Sequence, residues 1–337
     1  MKIDAFSHVI PESYLDRLDA AVASGTLSAR VDGFAPWIRE DPALTDLGAR
    51  FRAMDPFPDY RQVLTLAVPP IDEVAGGKAG AALAAMANDG MAELVRAHPD
   101  RFFGFAAALP MGDPEAADAE LQRAMHELDA FGAQVHTNVA GRPLDDPAFA
   151  PVLDAADESA AVVWIHPTRS PIWADYPVEH RSKYGIWWSL GWPYETSVCM
   201  ARLVYSGLVG RLRRVRFIAH HAGAMVPHFS GRLASPIEDE TRESILASLT
   251  DAPIALFRRF YTDTAMFGAG HAVRCAVEFF GPDHVLYGTD MPLGGPKVIA
   301  DTIADVEHTG LDQTEVRKIF ELNARRLFAR PAQPDAM

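Results

Sequence analysis

Short apolar runs that stop abruptly at histidine or aspartate recur along this chain, with helical patterns between them. Ala161-Val-Val-Trp-Ile-His166 is followed by Pro167, Val215-Arg-Phe-Ile-Ala ends in His220-His221, and Val285-Leu-Tyr-Gly-Thr closes on Asp290. The N-terminus repeats the pattern in Met1-Lys-Ile-Asp4-Ala-Phe6-Ser-His8. A carboxylate or imidazole at the end of a buried strand is costly to desolvate unless it meets a cation, a metal or a proton-carrying partner. Repetition of one costly feature at four strand ends points to one shared site at one rim of a parallel sheet.

The alternation runs from end to end. Strands are expected at residues 2–7, 62–69, 102–109, 132–138, 161–166, 215–220, 260–264 and 285–290. Helical periodicity fills 46–54, 75–97, 113–128, 145–159, 194–211, 269–280, 296–308 and 314–328. Strands joined through helices must be parallel, because the crossover carries the chain back. Eight such units predict an α/β fold, a (β/α)8 barrel forming a single domain over 1–337. A barrel of this kind needs about 250 residues. The surplus falls in insertions after strands one and five, at 9–45 and 167–193, on the side where barrel enzymes carry their sites. An open doubly wound sheet would need a glycine-rich first turn, and Phe6-Ser-His8-Val-Ile-Pro is not one.

Lys plus Arg is 31 against 45 Asp plus Glu, a net charge of −14, which argues against nucleic acid as a partner. Only Cys199 and Cys275 are present, so no disulfide framework exists and a cytoplasmic setting is expected. Lys2-Ile3-Asp4 reads as a strand rather than a leader, and no apolar run is long enough to span a bilayer.

At the strand ends, imidazole and carboxylate together suit zinc or another first-row divalent ion. Asp290 competes with a role as a helix cap, which Pro292 and Gly294-Gly295 make less natural. His220 and His221 are adjacent, and adjacent strand residues face opposite ways. One of the pair is expected in the site, His220 as ligand or catalyst; His221 then packs outward or contacts substrate from the loop. His228 reads as a surface or interface residue. An arginine fork matches a carboxylate substrate. Arg169, three residues past His166, and Arg39 are the candidates, while Arg50 and Arg52 read as solvated helix charges. Trp173, Tyr176, Tyr184, Trp187, Trp188 and Trp192 fill the second insertion, either as a wall over a flat substrate, with Trp188 touching it, or as a face for a second subunit.

With these residues in view, the chain resembles the amidohydrolase superfamily, in the decarboxylase branch that includes aminocarboxymuconate semialdehyde and resorcylate-type decarboxylases. The likeness rests on Asp4-Ala-Phe-Ser-His8, Arg52-Ala-Met-Asp55, Ala87-Asn-Asp89 to Phe105, Gly132-Ala-Gln-Val-His-Thr-Asn138, Trp164-Ile-His166-Pro, Phe217-Ile-Ala-His220, Gly288-Thr-Asp290-Met-Pro and Asn323-Ala-Arg-Arg-Leu-Phe328. It implies one divalent ion, zinc first and manganese second, on His8, His166 and Asp290, with His220 as a fourth donor or a catalyst. It implies non-oxidative decarboxylation of a small aromatic or dienoic acid, with Asp290 or His220 handling the proton, and a homodimer or larger homo-oligomer. The departure is Phe6, which stands where the family places a ligand and cannot coordinate; it is read as a substrate contact. No lysine on strand four is available to bridge two metals. The alternatives are hydrolysis or hydration by a metal-bound water, and a metal-free barrel that binds a ligand.

Overall fold

The computed structural model describes residues 1–23, 40–234 and 246–329. Barrel strands are β1 (Lys2–Val9), β2 (Tyr60–Leu66), β3 (Phe102–Phe105, resumed at Ala107–Ala108), β4 (Gly132–His136), β5 (Val162–His166), β6 (Arg216–Ala219), β7 (Tyr261–Asp263) and β8 (Val285–Leu286). Every neighbouring pair from β1 to β8 is parallel. The ring closes between its last and first strands. Ala5 N–H donates to the Tyr287 carbonyl at 2.8 Å, Asp290 N–H to Phe6 at 2.8 Å and His8 N–H to Met291 at 2.7 Å. The eight expected strands are therefore present as a closed parallel barrel.

The longer helices are α1 (Glu12–Ala23), α2 (Leu47–Met54), α3 (Gly77–Ala97), α4 (Pro114–Glu127), α5 (Ala150–Glu158), α6 (Gly191–Tyr205), α7 (Gly270–Phe280) and α8 (Val298–Glu307). Asp113 caps α4 by accepting from Ala116 N–H at 3.2 Å, with Pro114 in the first turn, where its missing N–H costs nothing. The expected helix over 194–211 is two, since α6 stops at Tyr205 and a short turn, Leu208–Arg211, follows Gly207 with φ 81°. The helix expected over 314–328 is broken by a π turn at Lys318–Leu322. α1 was not anticipated within the first insertion. Pro11 precedes it as a start signal rather than a breaker, and Tyr14 and Leu18, four apart, bury one face.

The interior of the barrel is plugged rather than hollow. Trp164 from β5 crosses it and donates Nε1–H to the Ala5 carbonyl of β1 at 2.8 Å. Its ring stacks on Phe328, with centroids 5.4 Å apart, so the C-terminal helical segment seals the floor. A bulge in β1 shifts its register against β2 between Asp4 and Ser7. Asp4 anchors this bulge. Its carboxylate accepts from Phe6 N–H at 3.1 Å, Thr289 N–H at 3.0 Å, Thr289 Oγ1 at 2.5 Å and the Tyr60 hydroxyl. The strands carrying His8 and Asp290 are thus tied together one layer below the site.

Candidate active site

Four strand-end groups meet above that plug. His8 ends β1, His166 ends β5, His220 follows β6 and Asp290 follows β8. All four are buried. The hydrogen bonds of each imidazole fix which nitrogen carries its lone pair. His166 Nδ1 lies 2.7 Å from the Pro167 carbonyl, which can only accept, so Nδ1 is protonated and Nε2 is bare. His220 Nδ1 lies 2.6 Å from Asp263 Oδ2, with the same result, and its Nε2 is buried without a partner. His8 Nδ1 lies 2.9 Å from Thr65 Oγ1, whose hydroxyl donates to the Ser7 carbonyl at 3.2 Å; His8 Nδ1–H is then the donor.

The bare Nε2 of His8 sits 3.0 Å from Asp290 Oδ1, and neither atom has a hydrogen-bond partner. Two lone-pair atoms repel at this range unless a cation or proton lies between them. The separation matches two adjacent donors on an octahedral first-row ion, about 2.1 Å times √2. Acceptors behind each ligating imidazole are the usual outer support of a metal site. The donor set therefore fits a divalent ion.

The centre is nonetheless crowded. The Phe6 ring is stacked on His220, with centroids 3.5 Å apart and planes at 16°, and stands edge-on to His8 at 4.8 Å. His8 and His166 rings are 5.0 Å apart, and among the described residues no three His, Cys, Asp or Glu side chains form a ready-made cage. Phe6 is fully buried behind the histidines and is not in the cavity wall, which corrects its reading as a substrate contact.

Burial would raise the Asp290 carboxyl, and the hydrogen bond from His221 at Oδ2 lowers it. Burial and the other histidines push His166 well below its usual range. Burial lowers His220 as well, against the pull of Asp263. Neutral imidazoles beside an ionised carboxylate are what metal binding requires.

His220 and His221 do not alternate as strand residues. β6 stops at Ala219, and φ is positive at His221 (57°), Ala222 (56°), Gly223 (71°) and Ala224 (56°). Left-handed backbone at several successive residues is strained, and such strain clusters at functional sites. The turn brings both histidines inward: of the two placements expected for His221, the outward one does not hold, and the residue lines the cavity instead. His221 Nε2 reaches Asp290 Oδ2 at 3.4 Å, and its N–H is pinned by Asp263 Oδ1 at 3.0 Å. Burial opposes charge on His221, yet the bond to Asp290 raises its pKa.

Above Asp290 and His221 lies a cavity of about 410 Å3, walled by Trp187, Trp188, Trp192, Met266, Phe267 and Leu293. Trp188 is thus among the residues lining the cavity. Arg169 does not line this cavity. It pairs with Glu195 at 2.9 Å and lies over Trp173. Arg39 lies outside the described residues. Arg50 is not a solvated charge: it is fully buried, donating to Gln62 Oε1 at 2.8 Å and to the His8 and Ala43 carbonyls at 2.6 and 3.1 Å. Arg52 is exposed beside Asp46, as expected, and His228 is exposed as well.

Sequence reasoning missed Asp263 and His136. Both bear the same strand-end signature, at the ends of β7 and β4. Asp263 orients both histidines; the His136 ring lies 5.3 Å from that of His166. Gly288 is required beside them, since a Cβ there would stand 2.7 Å from Asp263 Cβ.

A closed parallel barrel with buried His and Asp at its strand ends, opening into an aromatic cavity, defines a barrel enzyme of the metal-assisted type. The chain belongs to the amidohydrolase family, whose model matches residues 3–330. It is 30% identical over 316 residues to a gamma-resorcylate decarboxylase of Polaromonas sp., covering 88% of this chain and 92% of the relative. It is 29% identical over 211 residues to the 2-amino-3-carboxymuconate-6-semialdehyde decarboxylase of Dictyostelium discoideum, an alignment spanning 62% of this chain and 56% of that relative. Among solved structures, a 5-carboxyvanillate decarboxylase from Sphingomonas paucimobilis superposes with TM-score 0.82 at 26% identity, covering 97% of this chain and 98% of the other. A dihydroxybenzoic acid decarboxylase from Polaromonas sp., solved with manganese and the inhibitor 2-nitroresorcinol, gives 0.77 at 26% identity, covering 97% and 96%. No described helix is long and apolar enough to cross a membrane.

Proposed function

We propose that this chain is a metal-dependent, non-oxidative decarboxylase of small aromatic carboxylic acids. The observation that carries the reading is the indole- and phenyl-walled cavity set directly on His221 and Asp290. Its size suits a single substituted ring. The relatives act by name on gamma-resorcylate and 5-carboxyvanillate, which are acids of this kind.

His8, His166 and Asp290 would hold the ion, with His220 Nε2 as a further donor. Manganese and zinc both suit these donors, and manganese is the one bound in the related structure. When bound, the ion supplies Lewis-acid stabilisation of charge developing on substrate oxygen. The chain's own residues do the rest. Trp187, Trp192 and Phe267 flank the ring and keep water from it. The proton shared between His221 and Asp290 passes to the ring carbon that bears the carboxylate. The bond to that carboxylate then breaks, its electron pair restores the ring, and CO2 leaves. His220, buried and held by Asp263, serves as a positioned donor rather than the proton carrier.

Incubation of manganese-loaded protein with hydroxybenzoic acids tests this by CO2 release and appearance of the decarboxylated phenol. Release of a hydrolysed or hydrated product without CO2 would favour water chemistry instead. Phe6, packed among the histidines, favours one second reading: a metal-free barrel that binds an aromatic acid without turning it over. Failure to take up metal and to release CO2, with retained binding, would select it.

The second insertion exposes Val178 at 90% and Tyr184 at 93%. Apolar side chains this open support a contact between two copies of the chain.

A further inference from the structure

A second hollow lies at the opposite end of the barrel. It has a volume of about 220 Å3 and is lined by Arg213, Arg216, Arg259, Tyr261 and His284 among others. Arg216 and Tyr261 are the first residues of β6 and β7, and His284 directly precedes β8. These strands end above at His220, Asp263 and Asp290, so the hollow sits at their feet, away from the catalytic cavity.

Three guanidiniums in one hollow are unexpected in a chain of net charge −14. No Asp or Glu is among the residues lining it, and none of the three arginines has an ion-pair partner among the described residues. Like charges held this close cost free energy unless something negative joins them. Burial lowers the Arg259 pKa, and Arg213 and Arg216 lower it further; Asp251 and Asp157 oppose this less strongly.

Two of the three guanidiniums are also held in place. Arg259 donates Nη1 to the Val209 carbonyl and Nη2 to that of Leu212 at 2.8 Å. Arg216 Nη1 serves the carbonyls of Arg213, Arg214 and Val215 at 3.0, 2.6 and 3.2 Å. That leaves the Nε–H and Nη2 hydrogens of Arg216, and all of the Arg213 guanidinium, without partners among the described residues. Tyr261 and His284 stack with centroids 4.4 Å apart and parallel planes, forming a flat wall beside these donors.

We propose that this hollow is a phosphate-binding site, for free phosphate or the phosphate of a small monoester. A carboxylate would fill one guanidinium fork. Donors arriving from the loop before β6, the foot of β6 and the loop before β7 suit a tetrahedral dianion that accepts from several sides.

Calorimetric titration of the full-length, metal-loaded protein in a buffer free of phosphate and sulfate tests the proposal. Inorganic phosphate and phenyl phosphate are the two probes. The expected result is one equivalent bound with Kd of about 1 mM or tighter, weakened about tenfold by Arg213→Gln and less by Arg213→Lys. The Arg213 side chain is exposed and makes no hydrogen bond or ion pair among the described residues, so its replacement leaves the fold intact, which thermal unfolding checks. Tighter binding of phenyl phosphate would assign a monoester lying on the Tyr261–His284 wall, and equal binding would assign free phosphate. No binding by about 10 mM, or binding equal in Arg213→Gln and the parent, would overturn the proposal.

Discussion

His8 Nε2 and Asp290 Oδ1 face each other at 3.0 Å with no hydrogen bond between them. Thr65 behind His8 holds its proton on the far nitrogen, so the near one presents a lone pair to a carboxylate. Most of what the site can do follows from what relieves that opposition.

His221 is the test of the proton route. Asparagine tolerates left-handed backbone, so His221→Asn keeps the turn and removes the imidazole. We expect kcat to fall by about 10²–10⁴ with metal content unchanged. Steady-state kinetics with metal analysis checks this; full kcat in the variant would remove His221 from the chemistry.

Asp4 sets a pH dependence of stability. Burial pushes its carboxyl up to about 6, against hydrogen bonds from Thr289, Tyr60 and Phe6. A folded pKa raised above the unfolded value of 3.8 favours the neutral acid. The stability it contributes is complete below the unfolded value and is lost as pH rises through about 6. Relative to Asp4→Asn, the parent should lose about 2 kcal/mol between about pH 4 and about pH 7. Urea unfolding of both proteins across that range measures it; parallel pH curves would refute the assignment.

Arg50 holds three buried acceptors: the His8 and Ala43 carbonyls and Gln62 Oε1. Replacing it with methionine keeps much of the volume and strands all three. The expected loss is about 3 kcal/mol or more in unfolding free energy. A change below about 0.5 kcal/mol would mean that water replaces the guanidinium.

The exposed aromatic face of the second insertion gives a mass. Light scattering should return about twice the 36.8 kDa of one chain, and Tyr184→Glu should shift it toward the monomer. A monomeric parent would contradict the paired arrangement.

The barrel was legible because each strand is a short apolar run between helical patterns, and because His8, His166 and Asp290 mark where strands end. What was hidden depended on contacts that no spacing encodes. The inward turn of His221 arises from left-handed backbone at residues 221–224, where period-two reasoning does not apply. Arg50 resembles any helix charge until the bulged β1 places the His8 carbonyl over it. Arg169 lies close to His166 in sequence, yet Glu195, brought near by α6, takes its guanidinium. Asp263 could have been found: Thr262-Asp263-Thr264 ends a weak strand with a carboxylate, the feature that singled out Asp290.

The most direct measurement is metal stoichiometry by elemental analysis after dialysis against manganese, on the parent and on His166→Ala and Asp290→Ala. One ion per parent chain, lost from both variants while each remains folded, is the expected result. A parent that takes up no ion, or variants that retain it, would contradict a cation held by His8, His166 and Asp290.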